Sequence, residues 1–232
     1  MSSFSRRQNG RCLQNLGAKV LSRSLTANLP VLSRTTSRLT QTSILSLSSG
    51  FSDEIKAFCR DNNFTPHLFF KAVYALLVGR LADQHLIGVT SPMDMRDKES
   101  RQTLGCFVNT RLDVYDLEEN QSFGAYFDEI RSFNQAAQSY KALPYRDLIN
   151  KLNESSEIEI KEPTNVAFDS TTGIDDHFEL SDGVTLTFNY ELLELNTCIQ
   201  LLFCDSSASH FSFRFDYVKA QFESGVFENF LQ

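Results

Sequence analysis

The sequence predicts an α/β (α+β) protein, a mixed, largely antiparallel sheet covered by helices. Three observations carry that prediction. Apolar residues recur at helical spacing through much of the first two thirds of the chain, with two short apolar runs between the helices. In the last third the apolar period drops to two, as half-buried strands require. The composition is that of a chain able to bury a core: 232 residues, 41% hydrophobic, 22% charged, with 20 Phe and no Trp.

Residues 1–50 stand apart. They hold seven basic residues (Arg6, Arg7, Arg11, Lys19, Arg23, Arg34 and Arg38), many serines and no acid. Such a composition also fits an organellar transit peptide. The preferred reading is a linker, or a partly disordered tail packing on the acidic remainder. No apolar stretch of secretory-signal length follows the early arginines.

Regular patterning starts at Phe51. Ser52-Asp53-Glu54 can open a helix over 52–62, with Ile55, Phe58 and Cys59 on one face and acids in the first turn. Thr65-Pro66 reads as N-cap and first helical residue of a buried helix over 66–82. The run Leu86 to Thr90 reads as a strand closed by Ser91-Pro92, and 106–114 as a second strand. Ser122 caps another helix, on which Phe123, Phe127, Ile130, Phe133, Ala137 and Tyr140 form one stripe. Pro144 opens a short helix carrying Leu148, Ile149 and Leu152, followed by an acidic loop over 154–162. Val166/Phe168, Val184 to Tyr190, Ile199/Leu201/Phe203 and Phe211 to Tyr217 then alternate as strands, and a last helix is expected over 219–231. The domain organisation is therefore 1–50 as a basic segment and 51–232 as the folded body.

Several function classes are excluded or disfavoured. Net charge is −7, but residues 51–232 alone carry −14, which repels phosphates and disfavours nucleic acid as a partner. No apolar run approaches the roughly 18 residues of a transmembrane helix, so no membrane role is expected. The five cysteines are scattered and form no C-x-x-C, which argues against a disulfide framework or zinc site and for a reducing, cytoplasmic setting. His67, His85, His177 and His210 show no i, i+4 pairing, so no metal is expected. There is no G-x-G-x-x-G, no P-loop and no G-x-S-x-G elbow.

Three segments carry a family resemblance: Val89-Thr-Ser-Pro-Met-Asp-Met-Arg96, Leu104-Gly-Cys-Phe-Val-Asn-Thr110 and Tyr140-Lys-Ala-Leu-Pro-Tyr-Arg146. In order and spacing they resemble G-T-P-x-x-x-R, I-G-x-F-V-N-T and H-Q-D-x-P-F-E of the C-terminal lobe of nonribosomal peptide synthetase condensation domains. The second match is the most specific. The resemblance extends over roughly residues 11–232. It implies one lobe of a chloramphenicol acetyltransferase-like fold, in which two lobes form a V around a tunnel. In that family an acceptor amine attacks a donor thioester, both delivered by phosphopantetheine arms of carrier proteins. The partners implied are a carrier protein and a complementary N-terminal lobe, or self-association; no cofactor is bound directly. The family's H-H-x-x-x-D-G signature lies in the N-terminal lobe and has no counterpart here, so the chain is expected to be inactive alone.

Within the matching segments, Arg96 corresponds to an arginine that pairs across the lobe interface, with Asp94 or Asp97 available to screen it locally. The resemblance places Gly105, Phe107, Asn109 and Thr110 with Arg96 at the substrate tunnel or lobe interface, where Asn109 and Thr110 are expected to fix a crossing strand by backbone hydrogen bonds and Gly105 to allow close backbone approach. Tyr140-Lys-Ala142 departs from H-Q-D. His177 and Asp182, in Asp176-His-Phe-Glu-Leu-Ser-Asp-Gly183, resemble the catalytic signature loosely, with Asp182 one residue too far. A turn at Ser181-Asp-Gly183 is the simpler reading, and an intact acyltransferase using His177 the alternative. A noncatalytic binding or assembly protein is a third reading.

Overall fold

The computed structural model describes residues 25–30, 39–118, 121–137, 143–154, 164–172, 177–180, 183–187, 195, 197–205 and 210–222. Its helices are α1 (Ser49–Asp61), α2 (Pro66–Ala82), α3 (Phe123–Ala137) and α4 (Tyr145–Glu154). Its strands are β1 (Thr40–Ser46), β2 (Leu86–Asp94), β3 (Val108–Asp116), β4 (Val166–Thr172), β5 (His177–Leu180), β6 (Val184–Thr187), β7 (Ile199–Asp205) and β8 (Phe211–Val218). The larger sheet counts six strands, and β5 with β6 makes a separate antiparallel pair. The chain divides into two compact units, 1–29 with 72–166 and 30–71 with 167–232.

In the first unit, β2 and β3 form an antiparallel ladder from Leu86 opposite Asp116 to Asp94 opposite Val108. Leu25, Leu86, Leu112 and Ile149 are buried together, with Val114, Tyr145 and Leu148 packed against them. Gln84 holds the segment before this core: its Oε1 accepts from Asn28 N–H at 2.6 Å and its Nε2 donates to Thr26 O at 3.3 Å. Asn165 does the same at Ala27, accepting at 2.9 Å and donating at 3.0 Å. Arg111 reaches along its own strand to the buried Asp113 at 2.6 Å and across to Asn134 of α3 at 2.8 Å.

The second unit is built on aromatic packing. Strands β1, β8, β7 and β4 follow in that order, and both β1 and β7 pair antiparallel with β8. Phe70 of α2 lies 4.7–5.1 Å from the rings of Phe203, Phe211 and Phe213. Arg214 and the buried Asp216 repeat the R-x-D pairing of β3, at 2.9 Å, and Thr42 of β1 donates to the same carboxylate at 2.6 Å. Ser52 is buried because its hydroxyl accepts the Phe211 N–H at 3.1 Å.

Most element expectations hold, with shifted ends. Helix α2 has the predicted bounds, and Thr65 caps it by accepting the Leu68 N–H at 3.2 Å. Ser122 caps α3 through the Ala125 N–H at 3.2 Å. Helix α1 starts earlier than predicted because Ser48, not Ser52, accepts the capping bond from Phe51 N–H. Strand β2 runs past Pro92 to Asp94, since a ladder loses only one donor at a proline. Strand β3 starts at Val108 rather than Cys106. Strand β1 lies inside 1–50, where no strand was expected. Residues 177–180, to which the sequence assigned no element, form strand β5; of the helix expected over 219–231, Lys219–Gln221 form a 3-10 turn and 223–231 lie outside the described residues.

Candidate functional site

The residues singled out by the sequence motifs gather at one end of the β2–β3 ladder. The loop between the strands is closed by Met95, whose N–H donates to Phe107 O at 2.8 Å. Arg96 sits over this closure, donating from its Nη2 to Gly105 O at 2.9 Å. Its guanidinium carbon stands 4.8 Å from the centre of the Phe107 ring, a cation–π contact. Gly105 has φ +154, a conformation that side-chain-bearing residues rarely adopt. The turn at 105 thereby aims its carbonyl at the arginine.

Two carboxylates were expected to compete for Arg96. Asp94 is the one that engages it: Oδ1 accepts the Arg96 backbone N–H at 2.9 Å and lies 3.8 Å from Nη1. Asp97 is used locally. It accepts from the Ser100 hydroxyl at 2.6 Å and from the Ser100 and Glu99 N–H groups. These bonds, led by the Ser100 hydroxyl, hold its carboxyl below the usual range. The loop leaves Leu104 fully exposed and Val108 more than half exposed.

Asn109 joins two motifs that lie 34 to 36 residues apart. Its Nδ2 donates to Leu143 O at 2.8 Å, and its Oδ1 accepts the Tyr145 N–H at 3.2 Å. The second bond satisfies one of the orphan donors at the start of α4. The same oxygen accepts the Thr110 N–H at 2.9 Å, and Thr110 lies opposite Pro92. The V-N-T segment and the Pro144-Tyr145 pair therefore form one hydrogen-bonded corner. Arg96, Gly105 and Phe107 form a second cluster just before it in the chain.

His177 stands opposite Thr187 in the β5–β6 pair, and Asp182 lies outside the described residues. A contact that sequence reasoning missed is His67 with Ser170, whose Nδ1 and Oγ are 2.8 Å apart; the imidazole packs edge-on against Phe168. A separation of 103 residues leaves no local signal for it. Among the described residues, no three His, Cys, Asp or Glu side chains converge as a metal site would require, and no helix is long and apolar enough to cross a membrane.

Comparison with known proteins agrees with this geometry. The family model described as Condensation domain matches residues 18–232. A plipastatin synthase of Bacillus subtilis (strain 168) is 25% identical over 184 residues, which is 77% of this chain and 7% of that protein. A crystal structure of a holo four-domain nonribosomal peptide synthetase bound to AMP and glycine superposes with a TM-score of 0.79 at 14% identity, over 95% of this chain and 18% of that one. The condensation domain from the Monacolin K polyketide synthase MokA gives a TM-score of 0.73 at 15% identity, over 99% of this chain and 57% of that one. The chain thus spans a little over half of that condensation-domain structure and a small part of the synthetase it matches.

Proposed function

The chain belongs to the condensation-domain family of nonribosomal peptide synthetases, and from that premise we propose that it serves as the domain's C-terminal lobe. It contributes the acceptor-side wall of a substrate tunnel and the face on which a complementary N-terminal lobe docks. The family reaction forms a C–N bond between an acceptor amine and a donor thioester carbonyl; the C–S bond breaks and the thiolate leaves. The amine must also shed a proton to a base within about 3 Å. None of the four histidines of this sequence is part of an H-H-x-x-x-D-G motif, so in this reading the base comes from the N-terminal lobe. Carrier proteins bring both substrates on phosphopantetheine arms, which are theirs and not a resident cofactor.

The observation that carries the proposal is the cluster around Arg96. A guanidinium held by Gly105 O, the Phe107 ring and Asp94 stiffens a loop whose Leu104, with Val108 at the start of β3, faces solvent. Exposed apolar side chains on a braced loop are what a docking face needs. Asn109 fixes the adjoining corner, so the tunnel wall is set before a partner arrives.

The test is amide formation from carrier-bound donor and acceptor, followed by mass spectrometry. The expected result is no product from this chain alone and product when a complementary N-terminal lobe is added. Product from this chain alone overturns the proposal. The exposed Leu104 also favours a second reading, a noncatalytic protein that self-associates through this loop. Light scattering decides it: a monomer at high concentration removes that reading, whereas a dimer dissociated by Leu104→Asp supports it.

A further inference from the structure

Inside the second unit, α2 and β4 bring a hydroxyl and an imidazole together. His67 is the second residue of α2, and its Nδ1 lies 2.8 Å from the Ser170 Oγ on β4. At that separation a general base can take a hydroxyl proton. Both side chains are half-buried rather than sealed in the core, so a reagent can reach them. The ring is held from one side. Phe168 shares the Ser170 face of β4, is fully buried and meets the imidazole edge-on, with 5.3 Å between centres and 77° between planes.

The backbone on both sides of the pair is fixed as well. Asp169 Oδ1 accepts the Ser170 N–H at 2.7 Å. Strand alternation turns the Asp169 side chain away from the His67 face, so the pair is a dyad and not a triad. On α2, Thr65 accepts the Leu68 N–H at its hydroxyl, at 3.2 Å, and the Phe69 N–H at its carbonyl, at 3.0 Å. An oxyanion formed on a group bonded to Ser170 arises beside this first turn, where a 17-residue helix presents its positive end. His85 is the contrast. Its Nδ1 faces the Leu117 carbonyl at 3.0 Å, so that nitrogen is a donor and no base.

We propose that His67 and Ser170 form a nucleophilic dyad that cleaves activated acyl esters and acyl thioesters by way of an acyl-serine. With the ring proton on Nε2, the Ser170 hydroxyl donates to Nδ1. Oγ attacks the acyl carbonyl while His67 takes the hydroxyl proton. The Oγ–C bond forms, the C–S or C–O bond breaks, and the imidazolium passes its proton to the leaving thiolate or alkoxide. Water then attacks the acyl-serine, again deprotonated by His67, and that proton goes to the departing Ser170 Oγ. The products are a carboxylic acid and a thiol or alcohol. No amide forms, so this activity does not rest on the lobe assignment above, and the two fail separately.

The experiment treats the full chain with a fluorophosphonate, which traps a base-activated serine, and separately with p-nitrophenyl acetate and phenyl thioacetate. Tandem mass spectrometry locates the phosphonyl and acetyl groups. Ser170 is expected to be labelled at least about 100-fold faster than the exposed Ser49. The rate should rise with pH to a plateau as the imidazole gives up its proton. His67→Gln keeps a polar side chain but takes no proton, and should slow labelling by about 100-fold or more. Ser170→Ala should abolish it. Thermal unfolding checks that each variant keeps the fold; if one does not, the adduct map and pH profile of the parent chain decide. Adducts confined to other residues, labelling of Ser170 no faster than of Ser49, a rate that climbs without a plateau, or an unchanged rate in folded His67→Gln each overturns the proposal.

Discussion

Replacing Asn109 by alanine tests the corner that joins the V-N-T segment to α4. The substitution removes the bond to Leu143 O at 2.8 Å and those from Tyr145 N–H at 3.2 Å and Thr110 N–H at 2.9 Å. A net hydrogen bond is worth about 0.5–1.5 kcal/mol, and a helix-capping acceptor about 1 kcal/mol. Asn109 is half-buried, so water takes over part of the loss, and the expected cost is about 1.5–3 kcal/mol. For a chain of this size that lowers Tm by about 3–12 °C, at about 2–4 °C per kcal/mol. Urea unfolding followed by circular dichroism measures it. Asn109→Asp is the control. It keeps the two acceptor bonds, gains a favourable charge at the start of α4, and loses the donor to Leu143 O. It should fall between parent and alanine. If Asn109→Ala lies within about 0.5 kcal/mol of the parent, or Asn109→Asp is the worse variant, the corner does not work as described.

Four further outcomes follow from the packing. Burial pushes the Cys59 thiol up to about 11 while Cys106 is exposed, so iodoacetamide at pH 8 should modify Cys106 before Cys59; mass spectrometry of early time points checks this. The folded protein retains that proton after the unfolded chain has lost it near 9.0, so Cys59 makes stability fall as pH rises from about 9 to 11, and Cys59→Ser should flatten the curve. Asp113→Ala strips Arg111 of a carboxylate 2.6 Å away with 3% exposure and should cost about 2–4 kcal/mol; a double-mutant cycle with Arg111 reads the coupling. Phe70→Ala opens the aromatic cluster and should cost about 3–5 kcal/mol by urea unfolding.

What the sequence disclosed depends on the range of the interaction concerned. Helix α2 was legible because its signals are local: a capping Thr65, Pro66 at the first position and a dense apolar repeat. Strand β1 was not, because its pattern is inverted. Thr42, Ile44 and Ser46 are exposed, while Gln41, Ser43 and Leu45 are half-buried, so the strand hides polar atoms and shows Ile44 to solvent. At the site, motif matching found Arg96, Gly105, Phe107 and Asn109, but not how they are wired. The choice of Asp94 over Asp97 turned on a Ser100 hydroxyl, and the reach of Asn109 to 143–145 spans a helix.

The register of β1 against β8 sets a clock for synthesis. Thr40 pairs with Val218, and the Ser52 hydroxyl waits for the amide of Phe211. At about 5–20 residues per second, roughly 8–36 s separate the emergence of these partners from the ribosome. During that interval the β2–β3 hairpin can close on its own, whereas the early strand stays without its mate. A nascent-chain holdase would find its client in that early strand.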